Sequence, residues 1–314
     1  MRQLMRVLVV CSGNSGQAAP FIQEQAEHLA RAGCIIDIFL IRGKGWLGYL
    51  RNRRALLNKI KEFRPDVVHA HSGMSALLAG LQKRAPVVAT FHGSDVNVPR
   101  LRRFTRMAML LTNSHIVVSN DLKRILGNRN IRVIPCAVDD SVFHEMPFEQ
   151  CRSMLGWLPD NQYVLFASSF QNAIKNPALA LAAIESLNNP NVHLIELKDR
   201  SRLEVAQMLN ACDAALLTSF SEGSPQFIKE AMACGTPVVS TRVGDVAELL
   251  DGLPGHFLVH SDVLDVASNL QLAMKFRKEH GHTTAKEILI KRAILPAQVT
   301  SQLMNVYAGV LKTR

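Results

Sequence analysis

Short apolar runs recur along this chain, each closed by a polar or glycine-bearing break. Arg6–Val10, Ile35–Ile41, Val67–Ala70, Val87–Phe91 and Ile116–Val118 read as strands, with Val133–Pro135 as a last short one. Between them apolar residues return every three or four positions, which predicts helices over Pro20–Ala32, Arg53–Phe63, Leu77–Gln82, Arg103–Leu111 and Asp121–Leu126. A second series starts at Tyr163–Ala167. It continues with a helix at Pro177–Leu187, a strand at Val192–Leu197 and a helix at Arg202–Asn210, and a last helix spans Pro296–Leu311. Strand and helix alternation of this kind builds parallel sheets covered on both faces. The expected fold class is therefore α/β, with two Rossmann-like halves.

The segment SFSEGSPQFIKEAMACGTPVVSTRVGDVAELL, residues 219–250, punctuates itself. Ser224 is placed to cap a helix, Pro225 suits its first position, and Gly235 with Pro237 ends it. Glu222 lies in the loop before that helix. Glu230 lies inside it, about 8–9 Å further along the axis. A helix N-terminus favours phosphate. A carboxylate repels phosphate but accepts hydrogen bonds from hydroxyls. A diphosphate flanked by two hydroxyl-rich rings satisfies both conditions.

These residues resemble the donor-site signature of retaining glycosyltransferases of the GT-B fold, glycosyltransferase family 4 (group 1). The resemblance rests on the Glu-x7-Glu pair, the EAMACGTPVVST run and the trailing VGDVAELL. It extends to a glycine loop, CSGNSG at 11–16, to FHGSDV at 91–96, and to IPCAVDDSVF at 134–143. The last resembles the family's interdomain connection, with Cys136 and Ala137 in place of its Asn-Gly. FASSFQNAIKNP at 166–177 is similar to the second donor element, with Lys175 at the lysine position. Ser168 or Ser169 falls where the family carries arginine, so one positive charge of the phosphate clamp is missing unless another residue, such as Lys198, replaces it.

The resemblance implies two domains facing each other across a cleft. Residues 1–140 form the acceptor-side domain, 141–295 the nucleotide-sugar domain, and the helix at 296–314 packs back on the first. It implies a nucleotide-diphosphate sugar as co-substrate, a UDP-sugar rather than a GDP-sugar, with no other cofactor and no metal. His92, Lys175 and Glu222 are the expected catalytic residues. The expected donor contacts are Gly13, Gly16, Ser168, Ser169, Lys175, Glu196, Lys198, Glu222, Gly223, Ser224 and Glu230. Within that set Glu230 takes the ribose, Glu222 the sugar hydroxyls, and Lys175 with the Gly223–Ser224 backbone the diphosphate. Glu196–Lys198 flanks the base. For Gly13 and Gly16 a plain tight turn remains an equal reading. His69 and His71, two apart in a strand, share a face, but no carboxylate lies at metal-ligand spacing from them. The absence of any Asp-x-Asp removes the usual metal-diphosphate motif of the other large glycosyltransferase fold.

Composition adds location and partner. The 314 residues are 48% hydrophobic and 20% charged, an ordinary globular balance. The six cysteines lack metal or disulfide spacing, which fits reduced core residues of a cytoplasmic protein. The net charge of +10 is lopsided: residues 1–145 hold 21 Lys/Arg against 10 Asp/Glu, and the remainder 15 against 16. The excess gathers in residues 42–64, interleaved with Trp46, Leu47 and Tyr49, and at Arg100, Arg102, Arg103 and Arg106. Such a face suits an anionic bilayer, and equally a solvated helix packed on its own sheet. No motif supports nucleic acid. The expected protein is a hexosyltransferase, peripheral on the inner membrane face, acting on a lipid-linked saccharide in surface-polysaccharide assembly. A soluble acceptor, or a non-catalytic nucleotide-sugar or polyanion binder, stands as the alternative.

Overall fold

The computed structural model describes residues 4–127 and 129–312. The chain divides into two compact units. One runs to Ala137 and resumes at Pro296; the other is Val138–Leu295.

The first unit holds a six-stranded sheet: β1 (Arg6–Ser12), β2 (Ile35–Ile41), β3 (Val67–His71), β4 (Val87–Phe91), β5 (Ser114–Val117) and β6 (Arg132–Val133). Every pairing is parallel, in the order β2-β1-β3-β4-β5-β6. β3 and β4 are buried at every position, as strands covered on both faces must be. The helix Pro296–Lys312 belongs to this unit. It lays Val299, Leu303, Val306, Tyr307 and Val310 against Val7, Leu29, Val67, Val88 and Ile116. Those five positions form one helical stripe.

The second unit holds β7 (Gln162–Phe166), β8 (Val192–Glu196), β9 (Ala214–Leu217), β10 (Val238–Thr241) and β11 (His256–Val259). They pair in parallel in the order β11-β10-β9-β7-β8. Strand order reverses between β1 and β3 in one sheet and between β7 and β9 in the other. In open α/β sheets ligands bind beyond the strand carboxyl ends at such points. Entry into β9 is fixed from below by Arg152. It donates to Asp213 Oδ2 at 2.6 Å and to the carbonyls of Ala211, Pro159 and Asn161, while its guanidinium lies over the Phe148 ring.

Several elements differ from their sequence reading. The helix after β3 starts at Gly73 and ends at Gly80, two residues before Gln82, and its two glycines let it sit against Thr105 and Leu111. Helices at Phe148–Leu155, Val263–His280 and Lys286–Lys291 had no counterpart in the reading. The expected cap at Ser224 is corrected: the helix is Gln226–Ala233, Pro225 precedes it in extended conformation, and no side chain caps it. Ser224 Oγ donates instead to Asp245 Oδ2 at 2.7 Å.

Candidate active site

In the second unit the chain leaves β9 through Thr218 and Ser219 and turns at Glu222 into the helix Gln226–Ala233. Lys175 reaches the same place from β7. It sits in a single 3-10 turn, Ala173–Lys175. That turn is tied to the end of β9 by Phe220 N–H to the Ile174 carbonyl at 3.0 Å and by Thr218 Oγ1 to the Lys175 carbonyl at 2.9 Å. Lys175 Nζ then donates to Glu222 Oε1 at 2.6 Å, and Ser219 Oγ donates to the same oxygen at 2.7 Å. Two residues 47 apart in sequence thus meet at the strand switch of this sheet.

Glu230 faces its own cation. Arg202 Nη2 donates to Glu230 Oε1 at 2.8 Å, and the Arg202 guanidinium lies 4.5 Å from the centre of the buried Phe143 ring. Arg202 was missed in the sequence because nothing in its local pattern points to a partner 28 residues away. Lys198, offered there as the replacement cation, is exposed at the end of β8. Glu196 accepts the Phe170 N–H at 2.7 Å, which holds its carboxyl below the usual range. Ser168 Oγ accepts from Asn172 Nδ2 within its own loop, and Ser169 Oγ accepts from the Gln171 N–H while also bonding Glu196.

Beneath the loop lies a second unread pair. Burial raises the Asp245 carboxyl's pKa, and the charge of the completely buried Lys229 opposes that shift. Ser224 hangs on that carboxylate. Gly244 has φ +55°, and a Cβ there would stand 2.7 Å from the Gly223 carbonyl. The loops 222–224 and 243–245 therefore pack backbone to backbone, which only glycine permits.

In the first unit Gly13 and Gly16 follow β1. A Cβ on Gly13 would meet Leu40 at 2.6 Å, so close packing on β2 alone demands glycine there; Gly16 has φ +93°. His92 follows β4. Asp95 accepts the N–H groups of His92, Gly93 and Gly73 and so shapes the HGSD loop, and burial raises its carboxyl's pKa against those donors. His92 Nε2 lies 2.9 Å from His71 Nδ1. His69 bonds Tyr307 and Thr90, each at 2.7 Å. Burial pushes His69 down to about 3 and His71 well below the ordinary histidine value. All six cysteines are buried. Among the described residues, no three His, Cys, Asp or Glu side chains gather where they could hold a metal ion, and no helix is long and apolar enough to cross a membrane.

Two family models match the chain: Glycosyltransferase Family 4 over residues 2–142, and Glycosyl transferases group 1 over residues 175–275. The chain is 23% identical over 288 residues to the N-acetyl-alpha-D-glucosaminyl L-malate synthase of Bacillus anthracis, covering 79% of this chain and 75% of that one. It is 27% identical over 250 residues to the D-inositol 3-phosphate glycosyltransferase of Mycobacterium marinum, spanning 63% of this chain and about half, 53%, of that relative. Its fold is that of sucrose-phosphate synthase from Thermosynechococcus elongatus, with TM-score 0.81 at 15% identity over 99% and 100% of the two chains. Anabaena Alr3699/HepE in complex with UDP-glucose gives TM-score 0.75 at 18% identity over 97% and 100%. The fold class is GT-B, and the protein is a glycosyltransferase. The chain belongs to the group 1 glycosyltransferases of the family 4 type.

Proposed function

We propose that this protein transfers a sugar from a nucleotide-diphosphate sugar, a UDP-sugar by preference, to an acceptor hydroxyl with retention of anomeric configuration. The observation that carries this is the pair of acid–cation contacts around one helix start, Lys175–Glu222 and Arg202–Glu230, at the strand switch of the second sheet. In this assignment the diphosphate lies at the helix tip and takes Lys175 as counter-charge. Glu222, released from that lysine, accepts from the sugar hydroxyls. Glu230 accepts from the ribose. Gly223 and Ser224 offer backbone N–H groups to the phosphates. In the first unit His92, at the end of β4, is assigned as a hydrogen-bonding group for a ligand hydroxyl. As the C1–O bond to the diphosphate breaks, the acceptor oxygen bonds C1 on the same face, and the departing phosphate oxygen takes the acceptor proton. Lys175 stabilises the charge that develops on the leaving group. The UDP-glucose bound by the structurally similar Anabaena protein supports the donor class.

The acceptor is assigned as a lipid-linked saccharide of surface-polysaccharide assembly. The support is a mixed basic and apolar face on the first unit. Trp46 stacks on Phe104 at 6.3 Å and joins the helix Gly45–Leu50 to the helix Pro99–Leu111. Leu47 and Leu110 are 70% and 86% exposed there, with Arg51 and Arg53 exposed just past the first helix and Arg103 and Arg106 exposed on the second. That composition suits an anionic bilayer surface. A small anionic acceptor is the second reading. It is favoured by relatives named for L-malate and inositol phosphate, since the same positive charge would attract either compound.

Nucleotide release from UDP-, GDP- and ADP-glucose, with and without saccharide acceptors, tests the reaction. The expected result is acceptor-dependent release that falls at least about 30-fold in Glu230→Ala, from loss of charge-assisted hydrogen bonds to the ribose. Undiminished turnover in that variant refutes the donor-site assignment.

A further inference from the structure

We propose that Arg202 is a positioning residue for ribose recognition: it holds one oxygen of the Glu230 carboxylate so that the other is presented to a ribose hydroxyl. The inference rests on the reading that Glu230 accepts from the ribose, and every residue it uses lies in the second unit.

Arg202 breaks a local rule. It is the first residue of the helix Arg202–Ala211, where a cation meets the positive end of the helix dipole. The chain nevertheless places it firmly. Ser201 caps this helix reciprocally: its Oγ accepts the Glu204 N–H at 3.2 Å, and Glu204 Oε2 accepts the Ser201 N–H at 2.8 Å. The neighbouring basic residue, Arg200, bonds that same Glu204 at 3.3 Å. Arg202 pairs instead with an acid 28 residues further on. A residue that is locally unfavourable yet tightly placed marks a demand from the tertiary structure.

That demand comes from Glu230. Its side chain is 5% exposed, within the helix Gln226–Ala233. A carboxylate so buried needs a cation or several donors. Arg202 Nη2 donates to Oε1 at 2.8 Å, while 31% of the Arg202 side chain remains exposed. The carboxylate end of the pair is buried and the guanidinium end reaches solvent. The fully buried Phe143 ring lies against that guanidinium, with 4.5 Å between the Arg202 Cζ and the ring centre. Stacking on a buried ring fixes the plane of the guanidinium fork. A donor held in a fixed plane in turn fixes the rotation of the carboxylate it bonds. With Oε1 pinned, Oε2 keeps a set direction, and one hydroxyl of a ribose meets an acceptor already in place. Preorganisation of this kind raises affinity without adding a contact.

Titration calorimetry of the full chain with UDP, GDP and ADP, and with their 2′- and 3′-deoxy counterparts, reads the effect. In the wild type, the nucleotide that binds best is expected to lose about 10-fold in affinity when one of the two ribose hydroxyls is removed. Arg202→Met weakens the intact nucleotide about 10-fold and shrinks the penalty for the missing hydroxyl to about 2-fold. Arg202→Lys, which keeps a cation but not the planar fork, falls between. In the Glu230→Ala background the further change Arg202→Met costs less than about 2-fold, because the two residues act as one unit. Wild-type affinity in a folded Arg202→Met protein overturns the proposal. So does an equal loss in the Glu230→Ala background, which would mean that Arg202 acts without Glu230. Should Arg202→Met fail to fold, Phe143→Leu leaves both charged groups in place; it is expected to weaken binding about 3-fold with poorer hydroxyl discrimination, and unchanged discrimination overturns the proposal. Undiminished affinity in Glu230→Ala alone, or a wild type that binds none of the three nucleotides, removes the ribose reading itself and the proposal with it.

Discussion

Acidification from pH 7 to pH 5 is expected to destabilise the first unit through His69 and His71. Both are held neutral by burial, His69 with a pKa of about 3 against an ordinary 6.5, His71 also well below it. The unfolded chain binds protons at these residues as pH falls through 6.5, and the folded chain does not. Stability therefore rises with pH across the window from about 3 to 6.5 and is lost as pH falls. Each histidine that titrates only when unfolded costs about 2 kcal/mol between pH 7 and pH 5, at about 1.36 kcal/mol per unit. The pair costs about 4 kcal/mol. For a domain of this size that is a fall in Tm of roughly 8–16 °C. His115 in the same unit is shifted the same way by burial and adds to the slope, as His256 and His282 do in the second unit. Asp95 opposes it in the first unit, and Asp213 and Asp245 act likewise in the second. Their carboxyls are raised by burial, so as pH falls toward the carboxylate range the folded chain takes protons first and is stabilised. The assay is thermal and urea unfolding at pH 7, 6 and 5 at constant ionic strength, on wild type and on His69→Phe/His71→Asn. The double variant starts less stable, because Tyr307 and Thr90 lose their partner, but its slope is shallower by about 4 kcal/mol over the range. An equal slope in both proteins refutes the reasoning.

Three further outcomes follow from the same contacts. Lys175→Ala lowers kcat by about 10²- to 10³-fold in nucleotide-release assays, as expected for one preorganised charge on a leaving group, while leaving urea unfolding nearly unchanged because Ser219 still bonds Glu222. Arg152→Met, which strands Asp213 in the interior, costs about 3–5 kcal/mol of stability by urea titration. Co-sedimentation with vesicles of anionic lipid at low salt is expected for wild type and lost in Arg51→Ser/Arg53→Ser/Arg103→Ser/Arg106→Ser; binding that survives both this variant and high salt contradicts the basic-face assignment.

Much of the architecture was legible because parallel strands covered on both faces must be continuous apolar runs. β2 and β4 carry the bounds read for them. The helix Val263–His280 was not read, since Leu264 and Leu272 are 73% and 50% exposed and blur the stripe formed by Val266, Leu270, Ala273 and Met274. The acidic pair and Lys175 were legible from a linear motif. Arg202 beside Glu230 and Lys229 beside Asp245 were not, because both act through contacts that only the fold creates. Ser224 shows how a tertiary acceptor overrides a local preference: Asp245, 21 residues on, takes the hydroxyl that the sequence offers to the helix. The spacing of His69 and His71 disclosed a shared face. The pairing of His71 with His92 needed β3 and β4 in register, with His71 opposite Thr90.

The central claim is that the loop and helix from Glu222 to Glu230 hold the donor, and a crystal soaked in turn with UDP-, GDP- and ADP-glucose tests it most directly. Ribose hydroxyls are expected within hydrogen-bond distance of Glu230, phosphates at the Gly223–Ser224 backbone, and Lys175 moved from Glu222 onto the diphosphate. A nucleotide bound elsewhere, with the Lys175–Glu222 and Arg202–Glu230 contacts intact, would contradict it.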